Sequence, residues 1–393
     1  MSGQASTAAG PVVDSLLRKV RFLAGTAELL TGYAAQLRAS GMPLDRLNLV
    51  VRIIHPLEFS RAYYWTRDTG VTEEVARPYG TQDTAFFLDS PVASIFAGGP
   101  PIRRRLDDPT RPPDFPILAE LAASGYVDYT ARPLLFSTGV PMSIAFATRQ
   151  PCGFSEDDLA LADATLPALA PIVELAHRGI LARTLLDTYV RRRAGERILA
   201  GDIVRGRGES LEAAIWFSDL RGFTAWSEHL PRDALLDLLN THFDAIIGPI
   251  QAEGGEVLKF MGDGVLAVFP AAEAGGIEAA CRAALVAARH ACRDMAAINA
   301  ERRANGAPVS RHIIALNAGA VSFGNVGAAN RLDFTMIGPA VNLASRLNTV
   351  GKELGHDIIL SAPFVAAAGV PATSLGRFTL RGLAGEHEAF TPT

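Results

Sequence analysis

Two aspartates open the chemical reading of this 393-residue sequence. Asp219 ends the apolar run LEAAIWFSD (211–219), where a strand would leave its sheet. Asp263 stands between glycines in Gly262-Asp263-Gly264, the pattern of a tight hairpin turn. If that strand lies beside that hairpin, both carboxylates reach one sheet edge. Two carboxylates plus substrate phosphates are the usual way to hold Mg²⁺. Two such metals activate an attacking oxygen and neutralise a departing pyrophosphate. The backbone amides of Leu220 to Phe223, just ahead of the next helix, offer donors to phosphate oxygens. A lone Asp beside Gly also serves as a turn or cap residue, and periodicity does not separate the two readings.

A second group follows in the chain. Asn342 and Arg346 are four apart, so on a helix they share a face. An amide beside a guanidinium suits a ribose and a charged phosphorane; a solvated polar face has the same spacing. Lys259 precedes Asp263 on the same hairpin, and Thr335 lies in the short run DFTMIG (333–338). An ammonium and a hydroxyl together can read a purine edge. Arg381, in LRGLAGE, can hold a polyphosphate. Each of these, taken alone, also reads as surface. Lysine is rare here: of 37 basic residues only Lys19, Lys259 and Lys352 are lysines, so each lysine runs against the composition.

The elements that must position these residues are legible from the pattern. Pro231 to Ala252 is amphipathic, with Leu235, Leu238, Leu239, Phe243, Ile246 and Ile250 inward. EVLKFMGDGVLAVFP (256–270) is two strands around a turn. Ala274 to Ala300 is a long helix, HIIALNAG (312–319) a strand, and Pro339 to Leu354 a helix opened by proline. With 211–219, this gives the order β-α-β-β-α-β, a ferredoxin-like layer of helices on an antiparallel sheet. Upstream, residues 1–12 read as a frayed tail and Asp14 to Leu37 as helical. Residues 48–56 and 59–68 read as adjacent strands, 99–116 as a long loop, and 131–149 as another strand pair. A helix begins after Ser155, with Asp158 completing the cap. Helices around a central group of strands make this part α+β as well. Residues 174–200 connect the two. Leu181, Leu185, Tyr189 and Val190 share a face there, which fits either a packed connector or a short dimer-forming helix. The expected domains are 1–178, a connecting helix 179–204, and 205–393.

Composition narrows the class. Apolar residues are 49% and charged residues 20%, enough to build cores. The net charge of −4 leaves no basic footprint for nucleic acid. No run of about 18 uninterrupted apolar residues and no signal-peptide pattern occurs. Cys152, Cys281 and Cys292 are an odd number without CxxC spacing, which argues against disulfides and structural zinc. A reducing cytoplasm fits.

FSDLRGFTAWSE (217–228), GGEVLKFMGDGVLAVF (254–269) and DFTMIGPAVNLASRL (333–347), in this order and spacing, resemble the class III nucleotidyl cyclases. The resemblance covers about residues 205–391. It implies a head-to-tail homodimer with two shared active sites, converting ATP to cyclic AMP. By position it assigns Asp219 and Asp263 to two Mg²⁺ or Mn²⁺ ions, and Lys259 with Thr335 to the base. It assigns Asn342 and Arg346 to the transition state, and Arg381 to phosphate. The aspartates would come from one protomer and the other five residues from its partner. Thr335 departs from the Lys–Asp pair of many adenylate cyclases and resembles a bacterial subgroup. Guanylate cyclases typically carry an acidic residue at the lysine position, so Lys259 points to ATP. A guanylate cyclase and a non-catalytic ATP-binding regulator are the rival readings. More weakly, the N-terminal half resembles a GAF-like sensory domain, through its layout and the ending GFSEDDLALADATLPALAPIVELA (153–176). Its small-molecule ligand is not readable. His55, Tyr63, Tyr64, Trp65 and Arg103-Arg104-Arg105 are pocket candidates, with an aromatic core and a solvated loop as the alternatives.

Overall fold

A computed structural model describes the backbone of residues 3–108, 110, 113–190, 192–206, 208–328 and 331–393, and the side chains of these except 3–8, 192–193 and 331. The chain divides into two units, Met1–Tyr189 and Val190–Thr393.

The first unit opens with α1 (Gly3–Arg18) and α2 (Thr26–Ala39). The expected frayed tail is therefore helical from Gly3, and Val12 and Leu16 are buried. Strands β1 (Arg46–Arg52), β2 (Glu58–Thr66) and β3 (Thr72–Pro78) follow, then α3 (Ala85–Leu88) and α4 (Pro91–Phe96). Next come β4 (Ile102–Arg105), α5 (Pro116–Ala123), β5 (Asp128–Leu135), β6 (Pro141–Thr148) and α6 (Glu156–Leu185). All strands join one sheet in the order β3-β2-β1-β6-β5-β4, every pair antiparallel. Alternation sorts the side chains. Leu47, Leu49, Tyr63, Trp65, Ile144 and Phe146 pack in one core with α1, α2 and α6. Ala131, Ala145, Ala147 and Tyr129 pack in another with α4 and α5.

Tyr63 and Trp65 thus belong to the core rather than to a pocket. The expected long loop 99–116 contains β4, an edge strand paired with β5. Its basic run is a strand rather than a loop, and each arginine meets a carboxylate: Arg103 pairs with Asp128 and Glu156, Arg104 with Asp114, and Arg105 with Asp107. Sequence missed the strand because three arginines look like surface until each finds its carboxylate. Helix α6 starts as expected, with Ser155 and Asp158 forming a reciprocal capping box. By length and composition it could cross a membrane, but 56% of its most apolar window is buried in protein, the mark of a core helix. It runs into a π-helical segment, Leu186–Val190.

In the second unit, α7 (Arg192–Leu199) precedes β7 (Gly208–Leu220), α8 (Phe223–His229) and α9 (Arg232–Ala252). The hairpin β8 (Glu256–Met261) and β9 (Gly264–Pro270), α10 (Ala271–Ala274) and α11 (Ile277–Ala304) come next. They are followed by β10 (His312–Ala328), β11 (Arg331–Ile337), α12 (Pro339–Leu354), β12 (Ile358–Ser361), α13 (Ala362–Ala368), β13 (Ala372–Thr379) and β14 (Glu386–Pro392). The sheet runs β13-β14-β12-β10-β7-β9-β8, with β11 folded onto β10. It is mixed, not wholly antiparallel: β12 lies parallel to β10, because α12 carries the chain back to the starting edge. Small residues of α11 (Ala280, Ala284, Ala287, Ala288, Ala291) let that helix lie close to one sheet face. On α12, Ala344 and Leu347 are fully buried, and its remaining face turns outward.

Candidate active site

Strand β7 pairs with β9, and Ser218 stands opposite Val265. This register brings the end of β7 against the Gly262–Gly264 turn. Both carboxylates then meet one backbone amide: Leu220 N–H lies 3.1 Å from Asp219 Oδ1 and 3.2 Å from Asp263 Oδ2. The two glycines are required for different reasons. Gly262 has φ +68°, which favours glycine. A Cβ on Gly264 would stand only 3.2 Å from the Ser218 carbonyl oxygen. Asp263 is pushed up to about 6, first by burial and then by the facing Asp219 carboxylate. Two like charges this close favour leaving one protonated unless a cation joins them.

A cation stands on one of the two. The Lys352 ammonium, from the last turn of α12, forms an ion pair and hydrogen bond with Asp219 Oδ2. The residues therefore fit a divalent metal: hard oxygen donors converge, and a positive charge already stands on one of them. Among the described residues, no group of three or more His, Cys, Asp or Glu side chains gathers to hold a metal, here or elsewhere. Two carboxylates leave the remaining ligand positions to water and phosphate, which is the habit of Mg²⁺ rather than zinc.

Beneath the turn lies His242 of α9, fully buried, with neither ring nitrogen hydrogen-bonded among the described residues. Burial, followed by the neighbouring His312, holds it down to about 3, so it packs as a neutral ring. The sequence pattern of α9 did not reveal this histidine on its inward face.

The amides first read as a phosphate cradle are partly spent. Leu220 N–H serves the two aspartates, and Arg221 N–H donates to Arg311 O at 2.7 Å.

Lys259 of β8 does not stand alone beside Thr335. Its Nζ lies 2.7 Å from Asp333 Oδ2 on β11, an ion pair about half exposed. Asp333 and Thr335 are two apart and so share one face of the strand, while Phe334 and Met336 between and beyond them are buried. A β-bulge between Val257 and Lys259 breaks strict alternation, leaving Phe260 exposed although Leu258 is buried. Period-two reading of DFTMIG could have found Asp333; its partner could not have been named without the fold.

Asn342 and Arg346 both lie on the exposed face of α12. The helix is seated tightly at each end. A Cβ on Gly319 of β10 would lie 3.1 Å from Ala340 Cβ, and one on Gly351 would lie 2.7 Å from Ile359 Cγ1. Asn348 Nδ2 donates to Phe217 O and Ile313 O, beside the strand ends that carry Asp219. Asn342 stands ten residues before Lys352, about 15 Å along the helix axis. One chain therefore presents the carboxylate pair at the last turn of α12, Arg346 near the middle of the helix and Asn342 in its first turn. Arg381 sits exposed in the turn between β13 and β14. Neither it nor Arg346 makes an ion pair among the described residues.

Residues 208–389 match the sequence profile of the adenylate and guanylate cyclase catalytic domain. Adenylate cyclase 1 of Rhizobium meliloti (strain 1021) is 33% identical over 157 residues, 39% of this chain and 23% of that protein. The terminal-differentiation-specific adenylate cyclase of Dictyostelium discoideum is 33% identical over 168 residues, 42% of this chain and 8% of that protein. The chain thus spans about a quarter or less of these curated relatives. The crystal structure of the adenylyl cyclase CyaB from P. aeruginosa is 28% identical, covering 47% of this chain and 94% of that one, with a TM-score of 0.43. On the profile and the curated relatives, residues 208–389 are a class III adenylyl/guanylyl cyclase catalytic domain.

Proposed function

We propose that the protein is an adenylate cyclase, converting ATP to 3′,5′-cyclic AMP and pyrophosphate at two sites shared across a homodimer. One observation carries the assembly. Lys352, beside Asp219, lies in the last turn of α12, whereas the exposed Arg346 and Asn342 stand about 9 and 15 Å back along its axis, which fits a single chain supplying two half-sites. Head-to-tail pairing of two chains lets each complete the other.

When bound, two Mg²⁺ or Mn²⁺ ions per site supply Lewis-acid activation of the ribose 3′-hydroxyl and charge neutralisation of the pyrophosphate. Asp219 and Asp263 of one protomer hold them. From the partner, Lys259 donates to a ring nitrogen of adenine and the Thr335 hydroxyl accepts from its exocyclic amine. Asn342 orients the ribose, Arg346 faces the α-phosphorus where charge develops, and Arg381 grips the polyphosphate. Positioning and electrostatic stabilisation then carry most of the rate.

A guanylate cyclase is the second reading, and Asp333 favours it. A carboxylate beside Lys259 can accept from the N–H groups of guanine. Against it, the Lys259 ammonium would face a ring N–H donor. Incubation with ATP or GTP, in Mg²⁺ and in Mn²⁺, with chromatography of the products, separates the readings. Cyclic AMP with little cyclic GMP supports the first. No product from a dimer that still binds ATP makes the protein either a regulator or an enzyme silent without its activator.

Residues 1–178 are proposed as a GAF-like sensory domain acting through the connecting helix 179–204 in a cytoplasmic protein. The support is a small cavity of about 90 Å³ against the sheet, lined by Arg46, Asn48, Ser60, Tyr64, Arg77 and Phe86 among others. Asn48 Oδ1 is buried there without a hydrogen-bond partner among the described residues, and Arg77 donates to Tyr64 Oη at 3.2 Å. Mostly apolar walls with a few directed polar groups suit a small organic ligand. Deleting 1–178 tests the role: an unchanged rate and an unchanged dimer would remove it.

A further inference from the structure

We propose that Lys352 is a built-in counter-cation of the metal site: it neutralises Asp219 while no divalent cation is bound and is displaced when one arrives, so that it sets the site's metal affinity. The inference rests on the reading of Asp219 and Asp263 as the metal ligands.

Both oxygens of Asp219 already have partners. Oδ1 accepts from Leu220 N–H at 3.1 Å, and Oδ2 is held by the Lys352 ammonium. Each oxygen keeps a lone pair, but a metal coming to Oδ2 meets the charge of the ammonium there and competes with it for the carboxylate. The amide is fixed in the end of β7, whereas the ammonium ends a flexible four-carbon stem. Lys352 is 39% exposed in its side chain, so it has water to move into.

The residue type supports exchange rather than permanent pairing. Of 37 basic residues, 34 are arginine, the remainder after Lys19, Lys259 and Lys352. An arginine would grip a carboxylate with a planar two-pronged fork, whereas a lysine is a strongly hydrated point charge that leaves readily.

The backbone under Lys352 is meanwhile anchored. Gly351 O accepts from Arg221 Nη2 at 3.0 Å, and Gly351 packs against Ile313 and Ile359 with no room for a Cβ. The side chain can swing while its Cα keeps its place beside Asp219. A lysine in the last helical turn also complements the helix dipole. That role alone would leave metal binding unaffected, and the experiment separates the two.

The scarcity of lysine makes the test direct. The full-length protein is reductively methylated with ¹³C, so that its three lysines give resolvable signals, and titrated with Mg²⁺ alone. The Lys352 signal, assigned by its loss in Lys352→Arg, is expected to move as Mg²⁺ saturates, while that of Lys19 stays. In parallel, calorimetry with Mn²⁺ should show Lys352→Gln binding about 3- to 10-fold tighter than wild type, as expected for removing one competing charge at a half-exposed site. Lys352→Arg should bind no tighter than wild type. A Lys352 signal that stays still during metal binding that Asp219→Asn abolishes would overturn the proposal and leave the metal ligands standing. So would a Lys352→Gln variant with wild-type affinity. Metal binding that survives Asp219→Asn would overturn both readings.

Discussion

Both units pair many of their arginines with carboxylates, in the second Arg197, Arg302 and Arg311 among them, and they differ in the charges left open beside a candidate site. In the first, arginines are consumed by the fold: Arg61, Arg67, Arg103, Arg104, Arg105, Arg132, Arg149 and Arg178 each meet a carboxylate of the same unit. What remains is a mostly apolar cavity against the sheet. In the second unit, Asn342, Arg346 and Arg381 stand exposed. Its two lysines are paired only with carboxylates that have other work to do, Asp219 and Asp333. On the reading proposed above, the first unit encloses a small molecule. On that same reading, the second unit, with cations outside and carboxylates half-covered, is completed by a nucleotide and a second chain.

The largest effect should come from the carboxylates. Asp219→Ala or Asp263→Ala is expected to lower turnover at least about 10³-fold, since the metal supplies several kcal/mol of transition-state stabilisation. The dimer should persist, as sedimentation would show. Near-normal turnover in either variant would end the contrast between the units.

Mixing sharpens it. Asp219→Ala and Arg346→Ala are each expected to be inactive, yet an equimolar mixture should recover about a quarter of wild-type activity. Half the dimers in such a mixture are mixed, and one of their two sites is intact. No recovery, with subunit exchange demonstrated, would mean that both residues serve one site in one chain.

A smaller loss is expected at the base. Lys259→Ala should reduce kcat/KM for ATP about 10²-fold, the scale of one lost hydrogen bond to a charged donor in a covered site. Asp333→Asn should cost less but change the ratio of ATP to GTP turnover, because Asp333 holds Lys259 in place. An unchanged ratio would reduce Asp333 to a surface ion pair.

The smallest effect lies in the first unit. His177 is buried against Tyr63, and burial, with a smaller contribution from Arg61, lowers it to about 4. Its folded value lies below the unfolded one near 6.5. The neutral ring therefore adds stability that is complete above about 6.5 and is lost as pH falls toward 4. One such proton costs at most about 1.4 kcal/mol per pH unit across that window. His177→Leu should flatten the pH dependence of the first unit's unfolding transition over pH 4 to 6.5, as calorimetry would read it. An equally steep fall in the variant would place the acid sensitivity elsewhere.

Much of the second unit was legible because its patterns are long. The apolar face of α9, the paired strands around Gly262-Asp263-Gly264 and the proline start of α12 are local, and each reads from ten to twenty neighbouring residues. Gly262 and Gly264 also marked their turn by type alone. The parallel placement of β12 was not legible, because it depends on where α12 returns the chain. Nor was β4, whose Arg103-Arg104-Arg105 looks like solvent-facing loop until Asp128, Asp114 and Asp107 are placed around it. His242 was hidden by its own type, since a histidine on an amphipathic helix is ordinarily read as polar face.

The sequence by itself determined which residue types stand at which spacing: the two aspartates, the Asn342–Arg346 face, and the rarity of lysine. Those are local facts, set by helix and strand periods. Only the tertiary structure decided that Asp219 and Asp263 share the amide of Leu220, that Lys259 answers to Asp333, and that Lys352 answers to Asp219 across 133 residues of chain. Such pairings follow from sheet register and from the close seating of α12 at Gly319 and Gly351, and no period in the sequence encodes a distance between segments that meet only when the chain folds.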